Sequence, residues 1–302
     1  MDSSGPIICL GEVIVDLICE QWLASGTPPE RLVPYPGGAL ANVAVAISRS
    51  GGRAAMVGGV GDDEWGTWLR DDLTREGVDT ESVISVEGVD TPVAIALFDS
   101  EGEPRFQVCG QGIGPAMAAV LEPLKAAIPA SQGLVVGSNT MVGPLERQVT
   151  RTAVEIAAAN AVPVILDPNF RPSRWGNRET PARYCRELCA SSAVVKMNRS
   201  EATLITGVDD PALSAREIAG TGPRLVVVTD GAGPVITAGA FETRVEPDPV
   251  EVISPLGAGD VFAGVLAAGL ARLDWDFSCA GEVLGEACSR AGECCLFWGA
   301  QG

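Results

Sequence analysis

The segment Ser254–Phe262, SPLGAGDVF, combines small residues with a carboxylate directly before a stretch of helical spacing. The apolar residues that share one face of this helix are Phe262, Val265, Leu266, Gly269 and Leu270. Gly257, Ala258 and Gly259 are thus predicted at a helix N-terminus, where unpaired N–H groups and the helix dipole attract an anion such as a phosphoryl group. Asp260 has two interpretations: an ordinary N-cap residue, or a base that accepts a proton from a hydroxyl attacking phosphorus.

The composition limits the catalytic mechanisms and the partners that are available to this chain. The chain has 302 residues and no histidine, and its 21 basic and 39 acidic residues give a net charge of −18. Mechanisms that need imidazole, such as Ser-His-Asp triads and histidine-ligated zinc, are excluded. A general base must be a carboxylate, lysine, tyrosine or thiolate, and we expect no imidazole inflection in activity between about pH 6 and 7. The negative charge argues against nucleic acid or an anionic membrane as partner.

The nine cysteines are odd in number and show no CxxC spacing, so they indicate reduced thiols in a cytoplasmic protein rather than a disulfide framework or a cysteine-only metal site. The apolar run 7–18 is interrupted by Glu12 and Asp16 and no basic residue precedes it. It is therefore predicted to be a buried strand, and neither a signal peptide nor a membrane span.

Short apolar runs alternate with helical stretches in the sequence. This alternation is typical of a parallel sheet covered by helices on both faces, which would position these residues. The runs are Gly133–Gly137, Val162–Asp167, Ala193–Met197 and Leu225–Thr229, and a further strand is expected at Val250–Ile253. Thr91–Phe98 and Pro104–Cys109 flank a turn and indicate an antiparallel hairpin. We predict an α/β protein with a small β-sheet lid: a single domain over 1–302, with lid segments at about 13–36 and 90–110.

Polar residues next to these elements leave alternatives open. Leu40, Val43, Ala44 and Ile47 form the predicted buried stripe of a helix, and Asn42 lies off it, either facing a cleft or solvated. Asn198 and Glu201 form either a capping box or a site that arranges a metal and phosphates. Lys196, one of two lysines, either extends its ammonium group to solvent or contacts phosphate.

The GAGD segment at 257–260 resembles the second signature of the ribokinase (PfkB-type) carbohydrate kinase family. Further segments match the family in order: PGGALANVA with Gly37, Gly38 and Asn42; GVGDDEWG from Gly59 to Gly66; NRSE with Asn198 and Glu201; and TDG with Thr229 and Gly231. These matches are spread over nearly the whole chain.

The resemblance implies a ribokinase-like α/β core with a β-lid and an ATP-dependent sugar kinase. It makes Asp260 the catalytic base and the backbone of Gly257, Ala258 and Gly259 the anion hole. It places Asp16, Gly38 and Asn42 on sugar hydroxyls. Asn198 and Glu201 match the motif that arranges Mg²⁺ and phosphates, with Glu201 at the metal. Thr229 and Gly231 match positions that contact the nucleotide, and Lys196 is added as a phosphate contact.

Two segments bear on the sugar. DPNFRPSRW, with Arg171, is similar to a stretch of fructokinases, with a close variant in 2-keto-3-deoxygluconate kinases, and GEPRF, with Arg105, resembles a lid segment of fructokinases. Arg171 and Arg105 are therefore predicted to bind substrate, and fructokinase is the expected activity. The alternatives are 2-keto-3-deoxygluconate kinase, nucleoside kinase and a non-catalytic sugar-binding regulator. A P-loop NTPase and a Rossmann dehydrogenase are disfavoured because their glycine motifs do not occur.

The chain also departs from the family pattern. Ser254 stands where an aspartate usually helps to bind an activating monovalent cation, so the resemblance does not carry potassium activation over to this chain. Pro234 replaces a glycine of the nucleotide loop. Lids in this family often dimerise, which makes a homodimer through the lid an expectation.

Overall fold

The computed structural model describes residues 5–109, 114–171, 174, 175, 177 and 179–302. Gly110, at the end of the predicted lid segment, and Pro172 and Ser173, within DPNFRPSRW, lie outside the described residues.

The described part contains a nine-stranded sheet of order β13-β12-β11-β10-β9-β8-β1-β4-β5, parallel from β11 to β5. The strands are β1 (Ile7–Leu10), β4 (Ala54–Gly61), β5 (Val83–Val86), β8 (Gly133–Val136), β9 (Val164–Leu166), β10 (Val194–Asn198), β11 (Leu225–Thr229), β12 (Val235–Gly239) and β13 (Arg244–Val245). Its central strands are buried on both faces because their apolar runs are continuous.

Helices cover both faces of this sheet, and a separate apolar core lies under each layer. One layer contains α1 (Ala39–Arg49), α2 (Glu64–Arg75), α9 (Ala258–Arg272) and α10 (Ala280–Cys294). The other contains α3 (Gly114–Ala119), α4 (Leu121–Ala127), α5 (Pro144–Ala159), α6 (Glu179–Ala190), α7 (Arg199–Thr206) and α8 (Pro211–Ala219). Among the described residues, no helix is long and apolar enough to cross a membrane.

A second sheet, called the small sheet, has the order β3-β2-β6-β7. Its strands are β2 (Ile14–Trp22), β3 (Val33–Gly37), β6 (Val93–Phe98) and β7 (Pro104–Cys109). The hairpin β6–β7 is antiparallel as predicted, but β2 and β6 run parallel. Ile18, Ala96 and Phe98 pack with Leu256 and Ala300, which attaches the small sheet next to the start of α9.

One sequence prediction about these elements is wrong. Val250–Ile253 forms no strand, because Val250, Val252 and Ile253 stay 39–40% exposed and no strand of the described chain pairs with them. The predicted stripe of α1 is buried, but the burial extends to every residue from Ala39 to Ile47, since α1 packs against both the sheet and α9. Asn42 is therefore 3% exposed and not solvated.

Candidate active site

The polar residues converge at one edge of the large sheet. Glu12 follows β1, Asn139 follows β8, and Asp167 and Asn169 follow β9, all beyond the carboxyl ends of adjacent parallel strands. Ligands of open α/β sheets bind outside this edge. The first turn of α9 and the start of α1 close the same region, since Asn42 contacts Asp260.

The turn before α9 has the geometry expected of an anion site. Gly257 is the N-cap residue, with a left-handed φ of 78°, and no side chain caps the helix. A Cβ at Gly257 would overlap the carbonyl oxygen of Ala300, so only glycine fits. The N–H groups of the first turn thus remain available, and they carry the positive end of the helix dipole.

Asp260 is the third helical residue of α9 and not its cap, so the N-cap interpretation is wrong. Its Oδ2 accepts a hydrogen bond from Asn42 Nδ2 at 2.9 Å, and its Oδ1 accepts one from Asn169 Nδ2 at 2.7 Å. The two amides fix the carboxylate, while each oxygen keeps a lone pair for a further proton. Burial, followed by the nearby charge of Asp167, raises the pKa of Asp260 to about 6.

Asn169 lies in the DPNFRPSRW motif, but its residue type and spacing predicted no role for it. It adopts a left-handed φ of 42°, which asparagine tolerates better than most residues. This conformation aims its amide at Asp260, which lies 91 positions later in the chain. The signal that could have found it is the DPN tripeptide directly after an apolar run.

Asp16, on the small sheet, faces Asp260 across a cleft of about 330 Å³, a size that suits a small polar molecule. The predicted residues lining the cleft are Asp16, Gly38, Asn42, Arg171, Gly257 and Asp260. Burial raises the pKa of Asp16 to about 7, although the charge of Arg171 opposes this shift. Gly38 has a φ of 104° beside the Glu12 carbonyl, which leaves no room for a Cβ.

Arg171 is held against the small sheet, with its guanidinium carbon 5.2 Å from the centre of the Phe106 ring. The structure does not bring the neighbouring Arg105 into the cleft. Phe106 and Val108 face the cleft, so Arg105 points to the opposite side of β7 by strand alternation. Its side chain is 78% exposed and pairs with Asp99 at 3.7 Å, so Arg105 does not belong to the cleft formed by this chain.

Lys196 is buried beneath the turn before α9 and donates to Asp167 Oδ2 at 2.9 Å. A Cβ added to Gly259 would lie 2.9 Å from Lys196 Nζ, which places the ammonium group directly behind the predicted anion hole. Burial alone would lower the pKa of Lys196, but the carboxylates of Asp167 and Glu201 outweigh it, and the pKa is raised. The lysine therefore stays charged and does not extend to solvent.

Asn198 and Glu201 form a complete capping box at the start of α7. Asn198 Oδ1 accepts from the N–H of Glu201 at 2.9 Å, and Glu201 Oε2 accepts from the N–H of Asn198 at 2.9 Å. Glu201 Oε1 accepts from the N–H of Phe170 at 2.7 Å. Burial, then the charge of Asp167, raises the pKa of Glu201. No group of three acidic or cysteine side chains among the described residues could hold a metal directly.

Thr229 and Gly231 lie at the end of β11, one strand beyond Asn198, on the same carboxyl edge. Gly231 is exposed, has a φ of 55° and has open space where a Cβ would be. Glu12 and Asn139 also line the cleft, although no motif in the sequence predicted a role for either. Their only signal is their position just after apolar strands.

Comparison with known proteins gives a consistent result. Residues 6–295 match the pfkB family carbohydrate kinases. A fructokinase of Vibrio alginolyticus is 32% identical over 269 residues, covering 88% of this chain and 84% of that protein. The structure of Xylella fastidiosa fructokinase with bound ATP superposes with a TM-score of 0.84 at 26% identity, covering 99% of this chain and 94% of the other.

A second structure, Vibrio cholerae O395 fructokinase with fructose, ADP and a calcium ion, gives a TM-score of 0.82 at 28% identity and covers 99% of this chain and 96% of that one. These likenesses confirm the predicted ribokinase-like α/β fold. The family match spans nearly the whole chain, and the GAGD turn places Asp260 at the carboxyl edge of the sheet. This chain belongs to the pfkB family of carbohydrate kinases, which are phosphotransferases.

Proposed function

We propose that this protein is an ATP-dependent fructokinase. The observation that carries the proposal is the position of Asp260: it is buried in a polar cleft, fixed by two asparagine amides, and three residues beyond the N-cap of a helix with free N–H groups. Relatives named fructokinase, about 30% identical over most of the chain, support fructose as the acceptor.

In the proposed reaction a sugar hydroxyl attacks the γ-phosphorus of ATP and gives its proton to Asp260. A pKa of about 6 leaves this carboxylate mostly ionised near pH 7, yet basic enough to accept a proton as the new bond forms. Asn42 and Asn169 hold the carboxylate in one orientation, so no reorganisation is needed during transfer. Asp16 and Arg171 orient the sugar from the side of the small sheet.

The phosphate side of the site consists of backbone amides and one buried cation. The N–H groups at 257–259 take the charge that develops on the transferred group, and Lys196 supports them from behind. Asn198, Thr229 and Gly231 lie along the same edge and are proposed to contact the nucleotide. The chain has only one other lysine, Lys125, and its net charge of −18 opposes the binding of anions elsewhere on its surface.

Mg²⁺ is proposed to enter as part of the MgATP substrate. Both oxygens of Glu201 already accept backbone N–H groups, and no second and third acidic ligand lies beside it among the described residues, so this carboxylate is proposed to act on the ion through water. Mg²⁺ commonly keeps several waters and binds through substrate phosphates, which suits such a site. It would neutralise phosphate charge during transfer. Activation by potassium is not part of the proposal, because Ser254 is neutral and fully buried.

A second candidate, 2-keto-3-deoxygluconate kinase, has one observation in its favour. Arg171 and Arg174 both line the cleft, and guanidinium groups bind carboxylates well. Arg174 lies 3.8 Å from Glu146, however, so part of its charge is already balanced. The acidic groups Glu12, Asp16 and Asp260 in the same cleft favour a neutral sugar.

The test is ADP release with MgATP and a panel containing fructose, other hexoses, ribose, 2-keto-3-deoxygluconate and adenosine, with sodium and potassium run in parallel. We expect turnover to be fastest with fructose and to fall about 10²- to 10⁴-fold in Asp260→Asn. Asp71→Asn, an exposed change on α2, is the matched control and should keep full activity. Sugar binding without turnover of any acceptor would instead identify a regulator, and full activity in Asp260→Asn would reject the mechanism.

We further propose a cytoplasmic homodimer that associates through the small sheet. All nine cysteines are free, as suits a reducing compartment. Strand β7 is an edge of the small sheet and most of its residues are exposed, including the apolar Val108 at 42%. Light scattering after gel filtration should give twice the mass of the chain, and Gln107→Lys, on the exposed face of β7 opposite Phe106 and Val108, should lower it.

A further inference from the structure

Glu12 and Asn139 form a buried polar pair on the floor of the cleft. Asn139 Nδ2 donates to Glu12 Oε1 at 2.7 Å, and the N–H of Ala39 reaches the same oxygen at 3.4 Å. Glu12 is 5% and Asn139 4% exposed, and both line the cleft beside Asp16 and Asn42.

The pair leaves two oxygens without a partner. Glu12 Oε2 and Asn139 Oδ1 are buried and accept no hydrogen bond from the described residues. A buried acceptor without a partner has lost its hydration and gained no hydrogen bond in return, which is unfavourable and more so when the acceptor is charged. Both atoms are acceptors, and because each belongs to a side chain that lines the cleft, they suit a ligand that supplies donors.

The orientation of the pair is set by its other contacts. Asn139 Nδ2 and the N–H of Ala39 hold Oε1, which leaves Oε2 as the free oxygen of Glu12. Since Asn139 uses its nitrogen on Glu12, its oxygen is the free atom of its amide. The same hydrogen bond, from Asn139 Nδ2 to Glu12 Oε1, therefore leaves both oxygens, Glu12 Oε2 and Asn139 Oδ1, without a partner.

We infer that Glu12 and Asn139 form a specificity-determining subsite that accepts hydrogen bonds from hydroxyl groups of the bound sugar, separate from the contacts of Asp16 and Asn42. The inference rests on the proposed sugar kinase function. Sugar hydroxyls supply the missing donors, whereas a carboxylate placed on this floor would meet acceptors and the negative charge of Glu12.

The test uses fructose and analogues that each lack one hydroxyl, with wild type and Glu12→Gln. In the variant, Asn139 and Ala39 still bind the side-chain oxygen, so an amide nitrogen replaces Oε2. We expect the KM for fructose to rise about ten- to thirtyfold, since a charged acceptor is lost. The kcat and the KM for ATP should stay within about twofold, because Asp260 and the phosphate contacts are untouched.

The decisive readout is coupling. One analogue should lose at least about tenfold in kcat/KM with wild type but less than about threefold with Glu12→Gln. Equal losses in both proteins would overturn the inference, because a merely structural Glu12 weakens all sugars alike. Ser138→Ala is the matched control: Ser138 Oγ is also buried and unpartnered but does not line the cleft, so its loss should leave the KM for fructose unchanged.

Two further measurements distinguish failure of the subsite from failure of the proposed function and from misfolding of the variant. If wild type phosphorylates no sugar, the proposed function fails, and the same coupling is then read from calorimetric binding of the analogues. If Glu12→Gln does not fold, a crystal structure of wild type with an unreactive fructose analogue decides. A sugar hydroxyl within about 2.5–3.2 Å of Glu12 Oε2 or Asn139 Oδ1 is expected, and a bound sugar that contacts neither atom rejects the subsite.

Discussion

Asp16 and Asp260 face each other across a cleft that keeps both carboxyls out of water. Burial raises their pKa values to about 7 and about 6, well above the ordinary value of 3.8. In the proposed mechanism both act as carboxylates, Asp16 to orient sugar hydroxyls and Asp260 to accept a proton. A chain without histidine thus acquires titrating groups in the range where imidazole would titrate.

The first prediction is a pH profile that declines on the acid side. As the pH falls from 8, Asp16 takes up a proton near pH 7 and Asp260 near pH 6, so kcat/KM for fructose should drop steeply below about pH 6. The chain has no imidazole to titrate, but these two carboxyl groups should produce an inflection in the same pH range. A profile that is flat from pH 5.5 to 8 would contradict the assigned pKa values.

The second prediction concerns stability. Because the folded pKa of Asp16 lies above the ordinary value of 3.8, the fold favours the protonated form; this contribution is complete below about pH 4 and is lost as the pH rises through 7. Asp16→Asn imitates the protonated form, so at pH 8 it should raise the Tm by a few degrees, measured by calorimetry. The same variant should raise the KM for fructose. A lowered Tm at pH 8 would contradict a raised pKa of Asp16 in the folded protein.

At the scale of elements, the turn before α9 depends on one backbone conformation. Gly257→Ala would force a Cβ into the carbonyl of Ala300 at a left-handed φ, so we expect a loss of at least about 2 kcal/mol in the free energy of unfolding, together with a large loss of kcat. The control is Gly285→Ala on the exposed side of α10, where no atom lies within 4 Å of the added Cβ. It should stabilise the protein by about 0.5–1 kcal/mol in urea unfolding.

For Asn198, in the capping box of α7, the contribution to stability can be measured separately from the contribution to ATP binding. Asn198→Ala should cost about 1 kcal/mol in the free energy of unfolding through loss of the cap. Asp210→Ala removes the N-cap of α8 and should cost a similar amount. Only Asn198→Ala should also raise the KM for ATP, by about fivefold. If both variants leave this KM unchanged, Asn198 is a cap and nothing more.

At the scale of the molecule, a net charge of −18 repels a polyphosphate, so we expect the binding of ATP to depend on the metal ion bound to it. The described residues hold no three-ligand acidic cluster, so without nucleotide a chelator should leave the Tm unchanged. The same chelator should abolish turnover, because ATP then lacks charge neutralisation. A Tm that falls on chelation in the absence of nucleotide would reveal a resident metal.

Much of the architecture could be predicted from the sequence, because strands buried on both faces need continuous apolar runs. Four runs fall on β8, β9, β10 and β11 within two residues of their predicted limits. Val250–Ile253 misled the prediction because an apolar run specifies a strand only when a partner strand is adjacent. Arg105 lies outside the cleft of this chain, which its motif could not reveal because a motif does not say which face of an edge strand is turned towards a cleft.

By itself the sequence determined the order of the elements, the small residues of the GAGD turn and a chemistry without imidazole. These are local properties, set by spacing and residue type. Only the tertiary structure decided which groups meet: Asn42, Asn169 and Asp260 are far apart in the chain but hydrogen-bonded in the fold, and the Glu12–Asn139 pair spans 127 positions. The pKa values of Asp16 and Asp260 also belong to the folded state, because they arise from burial and neighbouring charges that exist only once distant segments pack together.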